Sequence, residues 1–468
     1  MSSDPPTIST HQPLNETGRL VFAAVADDDT GASDLAGMLA GQGVRTLLVL
    51  DLPAPAQFAE WTRGYEAVVM AEGTRNLSPA LAYERTRAAI RLLQARRPRL
   101  FQLKYCSTFD STPEGNIGAS IDAALDELAE DFTVALPALP VNGRTTYQGY
   151  HFVHQQLLSD SSMRGHPLTP MTNPNLVELL AQQTRRRVGL APYQVVRAGA
   201  AELESHLREL RAGGVHIALV DCLDDEHLEN ICRAVADLRL VTGSSAFGMK
   251  LPAIWRERGL LGGQATPAPP ASNTASANTT TAAAAGCLLV AGSCSAATLR
   301  QNAWAAEQGI LVRRIDPPRL LKRELDRAEI IAEARRELGA GRHYLMTTSG
   351  AGEEVRGVQA WAAARGLSVP ALGDALAAAL AELVLEVIEG HAVGGLIVAG
   401  GETSGAVCRR LELGAMRVGR NIEPGVPLCY SLGRFRLPLT LKSGNFGSPD
   451  FYGKAAHAIA HAGEYLTL

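Results

Sequence analysis

Residues Val21–Asp34 read VFAAVADDDTGASD. An apolar run from Val21 to Ala26 breaks into three consecutive aspartates, Asp27, Asp28 and Asp29, followed by Thr30, Gly31 and a helical pattern over Ala32–Ala40. A short apolar run bounded by turn residues is the pattern of a strand buried on both faces, as in the parallel sheets of α/β proteins. The aspartates then fall at a strand's carboxyl end, where open α/β sheets form their ligand crevices. Bunched carboxylates repel one another and are costly to bury unpaired, so a cation, a basic side chain or substrate hydroxyls would have to offset them. The competing reading is a solvated loop in which one aspartate caps the next helix.

Outward from this stretch the first half keeps alternating. Thr46–Leu50, Ala67–Met70, Leu100–Leu103, Phe132–Leu136 and His216–Val220 read as strands. Pro79–Gln94, Asn116–Glu130, Leu176–Thr184, Ala201–Arg211 and Glu226–Ala236 read as helices between or after them. Short crossovers of this kind favour a mainly parallel sheet. A polar stretch from Val141 to Leu176 fits neither pattern. Gly262–Thr281 is rich in Ala, Thr, Ser, Asn and Pro without charge, which marks a flexible linker and the main boundary. Beyond it Cys287–Val290, Gly309–Arg313, Tyr344–Thr347 and Gly395–Val398 read as strands, with helices over Leu320–Leu338, Val358–Ala364, Asp374–Ile388 and Thr403–Leu411. The expected organisation is a tail at 1–19, one domain at 20–261, a linker at 262–285 and a second domain at 286–468. Each domain is α/β and built around a mainly parallel or mixed sheet.

At 468 residues, 46% hydrophobic and 20% charged, the chain is long enough for two cores and too apolar to be disordered. A net charge of −4 without a Lys/Arg block argues against nucleic acid as the main partner. No apolar run reaches membrane-spanning length, so no membrane partner is expected. Seven scattered cysteines without a C-x-x-C pair, and no export signal, point to free thiols in a reducing, cytoplasmic setting. A homo-oligomer is compatible with the sequence.

Polar groups recur at the other strand ends. Glu72-Gly73-Thr74-Arg75 follows one strand and Lys104 another, and Cys106–Asn116 supplies hydroxyls, an acid and an amide before a helix. The set suits a sugar acid, with Arg75 and Lys104 for its carboxylate and Asp27, Asp110, Ser111 and Asn116 for its hydroxyls. Taken singly, such residues also form caps and turns. His151 and His154 lack an H-E-x-x-H context or any other convincing metal set. In the second half Gly292–Ser295, Thr347–Gly350, Gly400–Gly405 and Lys442–Gly447 are glycine- and hydroxyl-rich turns at strand ends. Their amides and helix N-termini can solvate phosphate. A P-loop and an early G-x-G-x-x-G are both absent. Glu402 can approach Mg2+ or cap its own helix, so no metal ligand is assigned.

Seven segments in order carry a resemblance: ADDDTGASD at 26–34, EGTR at 72–75, KYCSTFDSTPEGNIG at 104–118, HPLTPMTNPNL at 166–176, GSCSAAT at 292–298, GGETSGAV at 400–407 and LKSGNFG at 441–447. Together they resemble the four-carbon acid sugar kinase family, and STFDSTPEGN resembles its 3-oxo-tetronate kinase branch. The resemblance implies a sugar-acid-binding N-terminal domain and an ATP-binding C-terminal domain, with the active site in the cleft between them. It implies Ser295, Gly401, Glu402, Thr403, Ser404 and Gly444 at the ATP site, with Ser293 nearby, and Asp28, Arg75, Lys104 and Asp110 in the substrate lobe. Asp28, with Asp27 in reserve, would orient or deprotonate the terminal hydroxyl, with ATP and Mg2+ as cofactors. Asp29 stands where relatives often carry an apolar residue. A kinase for threonate, erythronate or a related aldonate is the nearest alternative, and a non-catalytic sensor of sugar acid and nucleotide is the alternative from another class.

Overall fold

The computed structural model describes residues 19–165, 169–261 and 285–466. The tail, His166, Pro167 and the linker insertion lie outside these residues. The N-terminal half contributes β1 (Phe22–Ala26), β2 (Thr46–Leu50), β3 (Ala67–Ala71), β4 (Leu100–Lys104) and β5 (Thr133–Leu136). A small antiparallel sheet follows, of β6 (Arg144–Tyr147), β7 (Tyr150–Val153) and β8 (Gln156–Leu157), before β9 (Val188–Ala191), β10 (Ile217–Val220) and β11 (Leu240–Gly243). The C-terminal half adds β12 (Cys287–Ala291), β13 (Leu311–Arg314), β14 (Tyr344–Thr347), β15 (Gly395–Ala399), β16 (Ala415–Glu423), β17 (Val426–Ser431) and β18 (Pro438–Lys442).

Outside the small sheet, all these strands form one sheet of 15, in the order β13-β14-β12-β15-β18-β17-β16-β2-β3-β1-β4-β11-β5-β10-β9. The two parallel halves expected from the sequence are present, but they are not separate sheets. The antiparallel strands β16 and β17 join them, with β16 pairing β2 on one side and β17 pairing β18 on the other. The β1 run is buried throughout, which explains its unbroken apolar sequence.

This topology also explains how one cleft forms. Following the pairings, β1 and β15 run in opposite senses within the sheet, which in a flat sheet would put their carboxyl ends on opposite edges. The six steps between them, at roughly 20–25° of twist each, accumulate to about 120–150°. That rotation brings the two carboxyl edges round to the same side. Within each half, register keeps the ends level: Ala26 pairs with Ala71 and Lys104, and Lys104 with Gly243, while Ala399 pairs with Ala291 and Lys442. The residues that follow these strands stand in two facing rows.

Three local readings change. The expected Leu320–Leu338 helix is two, Pro317–Leu321 and Arg327–Gly339, because Arg323 turns left-handed at φ 60° and Asp326 caps the second. Helix Gly352–Ala363 starts earlier than expected. The unassigned polar stretch contains the small sheet, whose β6–β7 turn has positive φ at Gln148 and Gly149. All seven cysteines are unpaired. No helix among the described residues is long and apolar enough to cross a membrane.

Candidate active site

A cavity of about 1490 Å³ opens between the two rows and takes lining from both halves. On the N-terminal side, Asp28 adopts extended φ/ψ and caps the first helix, Asp29–Gly41, by accepting from Gly31 N–H at 2.8 Å. Its other oxygen accepts from the Thr30 hydroxyl at 2.9 Å and meets Arg75 Nη1 at 2.9 Å. Arg75 also forks onto Asp27, with Nε to Oδ2 at 2.9 Å and Nη2 to Oδ1 at 3.0 Å. One guanidinium thus compensates two neighbouring carboxylates. Burial alone would push the Asp28 carboxyl up, but Arg75, Lys104, Thr30 and the Gly31 amide together hold it below its ordinary range.

Lys104 is 4% exposed and lines the cavity. A Cβ on Gly31 would lie 2.4 Å from Asp28 Oδ1 and 2.5 Å from Lys104 Nζ. Glycine at 31 therefore lets an acid and a cation close over the helix start.

On the opposite row, helix Gly401–Arg410 begins at Gly400, φ 126°, which has no side chain with which to cap it. The leading N–H groups of a helix lack partners inside it, and here they open onto the cavity that Gly401 and Glu402 line. Ser295 caps helix Ala296–Glu307 and donates to the Gly444 carbonyl at 2.6 Å. A Cβ on Gly444 would stand 2.1 Å from Ser293 Oγ, so these loops pack at a distance that glycine alone permits. The cradle of amides, hydroxyls and a bare helix N-terminus fits a polyphosphate. The two rows meet closely: a Cβ on Gly401 would lie 3.9 Å from Thr30 Oγ1.

Comparison with known proteins agrees with this division. Residues 22–251 match the model of a sugar-binding N-terminal domain, and residues 288–452 that of a nucleotide-binding C-terminal domain. A 3-oxo-tetronate kinase of Pseudomonas fluorescens is 40% identical, covering 97% of this chain and 99% of the relative. One from Pseudomonas savastanoi pv. phaseolicola is 39% identical, covering 95% and 98%. The chain belongs to the four-carbon acid sugar kinase family. The fold is shared by a Salmonella typhimurium LT2 crystal structure described as a tRNA synthase, with a TM-score of 0.77, 34% identity and coverage of 93% and 98%.

Of the residues singled out in this family member's sequence, Asp27, Asp28, Arg75, Lys104, Asp110, Ser293, Ser295, Gly401, Glu402 and Gly444 line the one cavity. Four do not. Ser111 is buried and accepts from Gln183 at 2.9 Å. Asn116, expected to meet substrate, instead donates to the carbonyls of Thr74 at 2.8 Å and Leu77 at 2.9 Å, bracing the loop that carries Arg75. Thr403 and Ser404 are buried, so only their backbone belongs to the helix start. Lys442, which opens the last of the glycine-rich turns, does not line the cavity. It is 1% exposed and donates to the Ser443 carbonyl at 3.0 Å, and burial lowers its pKa to about 8.

Arg75 changes role as well. Expected to hold a substrate carboxylate, it is committed to Asp27 and Asp28. Asp29 faces the other half, with Oδ2 3.4 Å from Arg409 Nη1. Both ring nitrogens of His151 are taken, by Thr146 Oγ1 at 2.9 Å and the Ser107 carbonyl at 2.8 Å, and the ring braces the loop leading to Asp110. Among the described residues no cluster of three or more His, Cys, Asp or Glu could hold a metal by itself. Sequence reasoning also passed over cleft residues. Ser245 donates to Asp34 Oδ2 at 2.5 Å while the other Asp34 oxygen is buried without a partner, and Arg144 starts β6. A signal for Asp34 lay in the opening motif itself, one helical turn beyond Gly31, whereas Arg144 lay in a stretch without recognisable periodicity.

Proposed function

We propose that this protein is an ATP-dependent 3-oxo-tetronate kinase, transferring the γ-phosphoryl group of ATP to the O4 hydroxyl of a 3-dehydro four-carbon sugar acid. The observation that carries the reading is the approach of Thr30 to Gly401, with Asp28 and Lys104 of one half beside the uncapped helix start of the other. ATP would supply the phosphoryl group, and Mg2+ bound with it would neutralise charge on the phosphates. Mg2+ is usually held through one or two carboxylates with the phosphates supplying the rest, and Glu402 and Asp28, which line the cavity, would be the acids to hold it.

Asp28 already accepts three hydrogen bonds or ion-pair contacts and is held in its ionised form, so it accepts the O4 proton as a hydrogen bond and orients the oxygen. Proton removal contributes less than alignment and charge neutralisation in phosphoryl transfer. Arg75 fixes both acids and helps hold Asp28 ionised, whereas at Asp27 burial outweighs the pull of Arg75 and pushes the carboxyl up. Lys104, beside Asp28, offers its ammonium to the oxygens gathering at the transfer point. The amides at Gly401 and the Ser293–Ser295 and Gly444 loops hold the nucleotide phosphates.

Incubation with ATP and Mg2+ and a panel of four-carbon acids tests the assignment. The 4-phosphate of one 3-oxo-tetronate enantiomer is the expected product. Its absence with both enantiomers would refute the activity, and faster turnover of threonate or erythronate would reassign the substrate.

A further inference from the structure

Five basic side chains line the cleft: Arg75, Lys104, Arg144, Arg409 and Arg410. Three are committed to acids of the protein itself. Arg75 holds Asp27 and Asp28, Arg409 meets Asp29 at 3.4 Å, and Arg410 meets Glu382 at 2.7 Å. Among the described residues, Lys104 and Arg144 have no carboxylate within 4.0 Å. A cleft that takes an acid needs cations not already spent on protein carboxylates, which narrows the choice to these two.

They stand at different places. Lys104 lies over Gly31 beside Asp28, next to the point where Thr30 approaches Gly401. Arg144 comes from outside the parallel sheet, at the start of β6, where its backbone bonds Leu139 in both directions at 2.9 and 3.2 Å. Thr146, two residues on along β6, bonds His151 Nδ1, and the other ring nitrogen bonds the Ser107 carbonyl, so Arg144 belongs to the Ser107–Asp110 end of the cavity. Its Nη1 donates to the Asn142 carbonyl, which fixes the guanidinium. Its Nε is buried without an acceptor, and Nη2 has no hydrogen-bond partner among the described residues.

In a four-carbon acid the carboxylate and O4 are at opposite ends of the chain. With O4 held at Asp28 for transfer, the carboxylate falls away from Gly401, and a second cation must receive it there. We infer that Arg144 is the specificity-determining residue that binds the C1 carboxylate, while Lys104 serves the O4 end. A guanidinium matches a carboxylate in a way an ammonium does not, and a substrate oxygen would satisfy the Nη2 donor that the protein leaves unused. This inference rests on the kinase reading for the position of O4.

The test compares 3-oxo-tetronate with erythrulose, the same carbon chain bearing a hydroxymethyl group in place of the carboxylate. Arg144→Gln should raise KM for the acid about 10- to 100-fold, the range of a charge-assisted hydrogen-bonded pair. KM for ATP and erythrulose turnover should stay within about twofold of wild type, so the acid-over-ketose preference falls by the same factor; a structural defect would move all three. Arg144→Lys should lose less, and it carries the test if the glutamine variant does not fold. An acid KM within about threefold of wild type in a folded variant, with the preference intact, would overturn the role of Arg144 and leave the kinase reading standing. Failure of the wild type to phosphorylate any acid would sink that reading instead. Calorimetric acid binding then decides for Arg144, supported if Arg144→Gln abolishes binding and overturned if the variant binds equally or the wild type does not bind.

Discussion

The acid-bearing edge of the N-terminal half and the glycine-bearing edge of the C-terminal half face one cleft, yet they are built from different materials. The first works through charged side chains that compensate one another: Asp27 and Asp28 are tolerable because Arg75 bridges them at 2.9 Å. The second works through backbone, brought close by glycine at 400, 401 and 444 and held by hydroxyl-to-carbonyl bonds such as Ser295 to Gly444. The difference predicts different weaknesses. The acid edge should fail when charge is unbalanced, and the glycine edge when volume is added.

The largest effect should come from unbalancing the acid edge. Arg75→Met leaves two largely buried carboxylates without their shared partner, and breaking a buried pair from one side costs about 3–5 kcal/mol. Urea unfolding should show a loss of that order together with lost turnover. If stability changes by less than about 1 kcal/mol while only the acid KM rises, Arg75 is a substrate ligand after all and the first half of the comparison is wrong.

Next in size is Gly444→Ala. The new Cβ would stand 2.1 Å from Ser293 Oγ and 3.3 Å from Ser295 Oγ, so the serine hydroxyls or the loops that carry them must shift. The expected result is a rise of about 10-fold or more in KM for ATP with acid binding retained, because the added volume acts on one edge alone. Unchanged ATP affinity would show that this close packing is not what holds the nucleotide.

How legible the two edges were follows from the same difference. The strands carrying the acids are buried on both faces and read as uninterrupted apolar runs, so β1, β2, β3 and β4 were placed from pattern alone, and with them Asp28, Arg75 and Lys104 at strand ends. Side-chain partnership was not legible. Nothing in the spacing of Asn116 says that it turns back to the Thr74 and Leu77 carbonyls, and nothing local to Arg75 says that Asp27, 48 residues earlier, takes its fork. The hairpin of β16 and β17 was missed because AMRVGRNIE interrupts its alternation with Gly419 and two arginines. That omission hid the continuity of the sheet. Arg144 was missed for a related reason, since it reaches the cleft from a short hairpin that no parallel-sheet pattern anticipates.

The smallest expected effect concerns the seam between the edges. Asp29 belongs to the acid row but packs against the helix of the glycine row, where a Cβ on Gly405 would meet its Oδ2 at 2.3 Å and Arg409 Nη1 lies at 3.4 Å. Burial pushes its carboxyl up to about 6 against the pull of Arg409, with Asp28 and Asp51 adding to the rise. A carboxyl raised on folding favours the folded state while protonated, so its contribution is complete below the unfolded value near pH 4 and is lost as pH rises through about 6. Asp29→Asn removes that titration. Its stability relative to wild type should therefore increase between pH 4 and pH 7, by roughly 1–2 kcal/mol, because Arg409 is half exposed and its pairing is screened. Thermal melts of both proteins across that range decide the matter. A pH-independent difference would mean that Asp29 is solvated rather than buried at the seam, and a variant that loses stability as pH rises would mean that the Arg409 pair outweighs the burial and ties the two edges together.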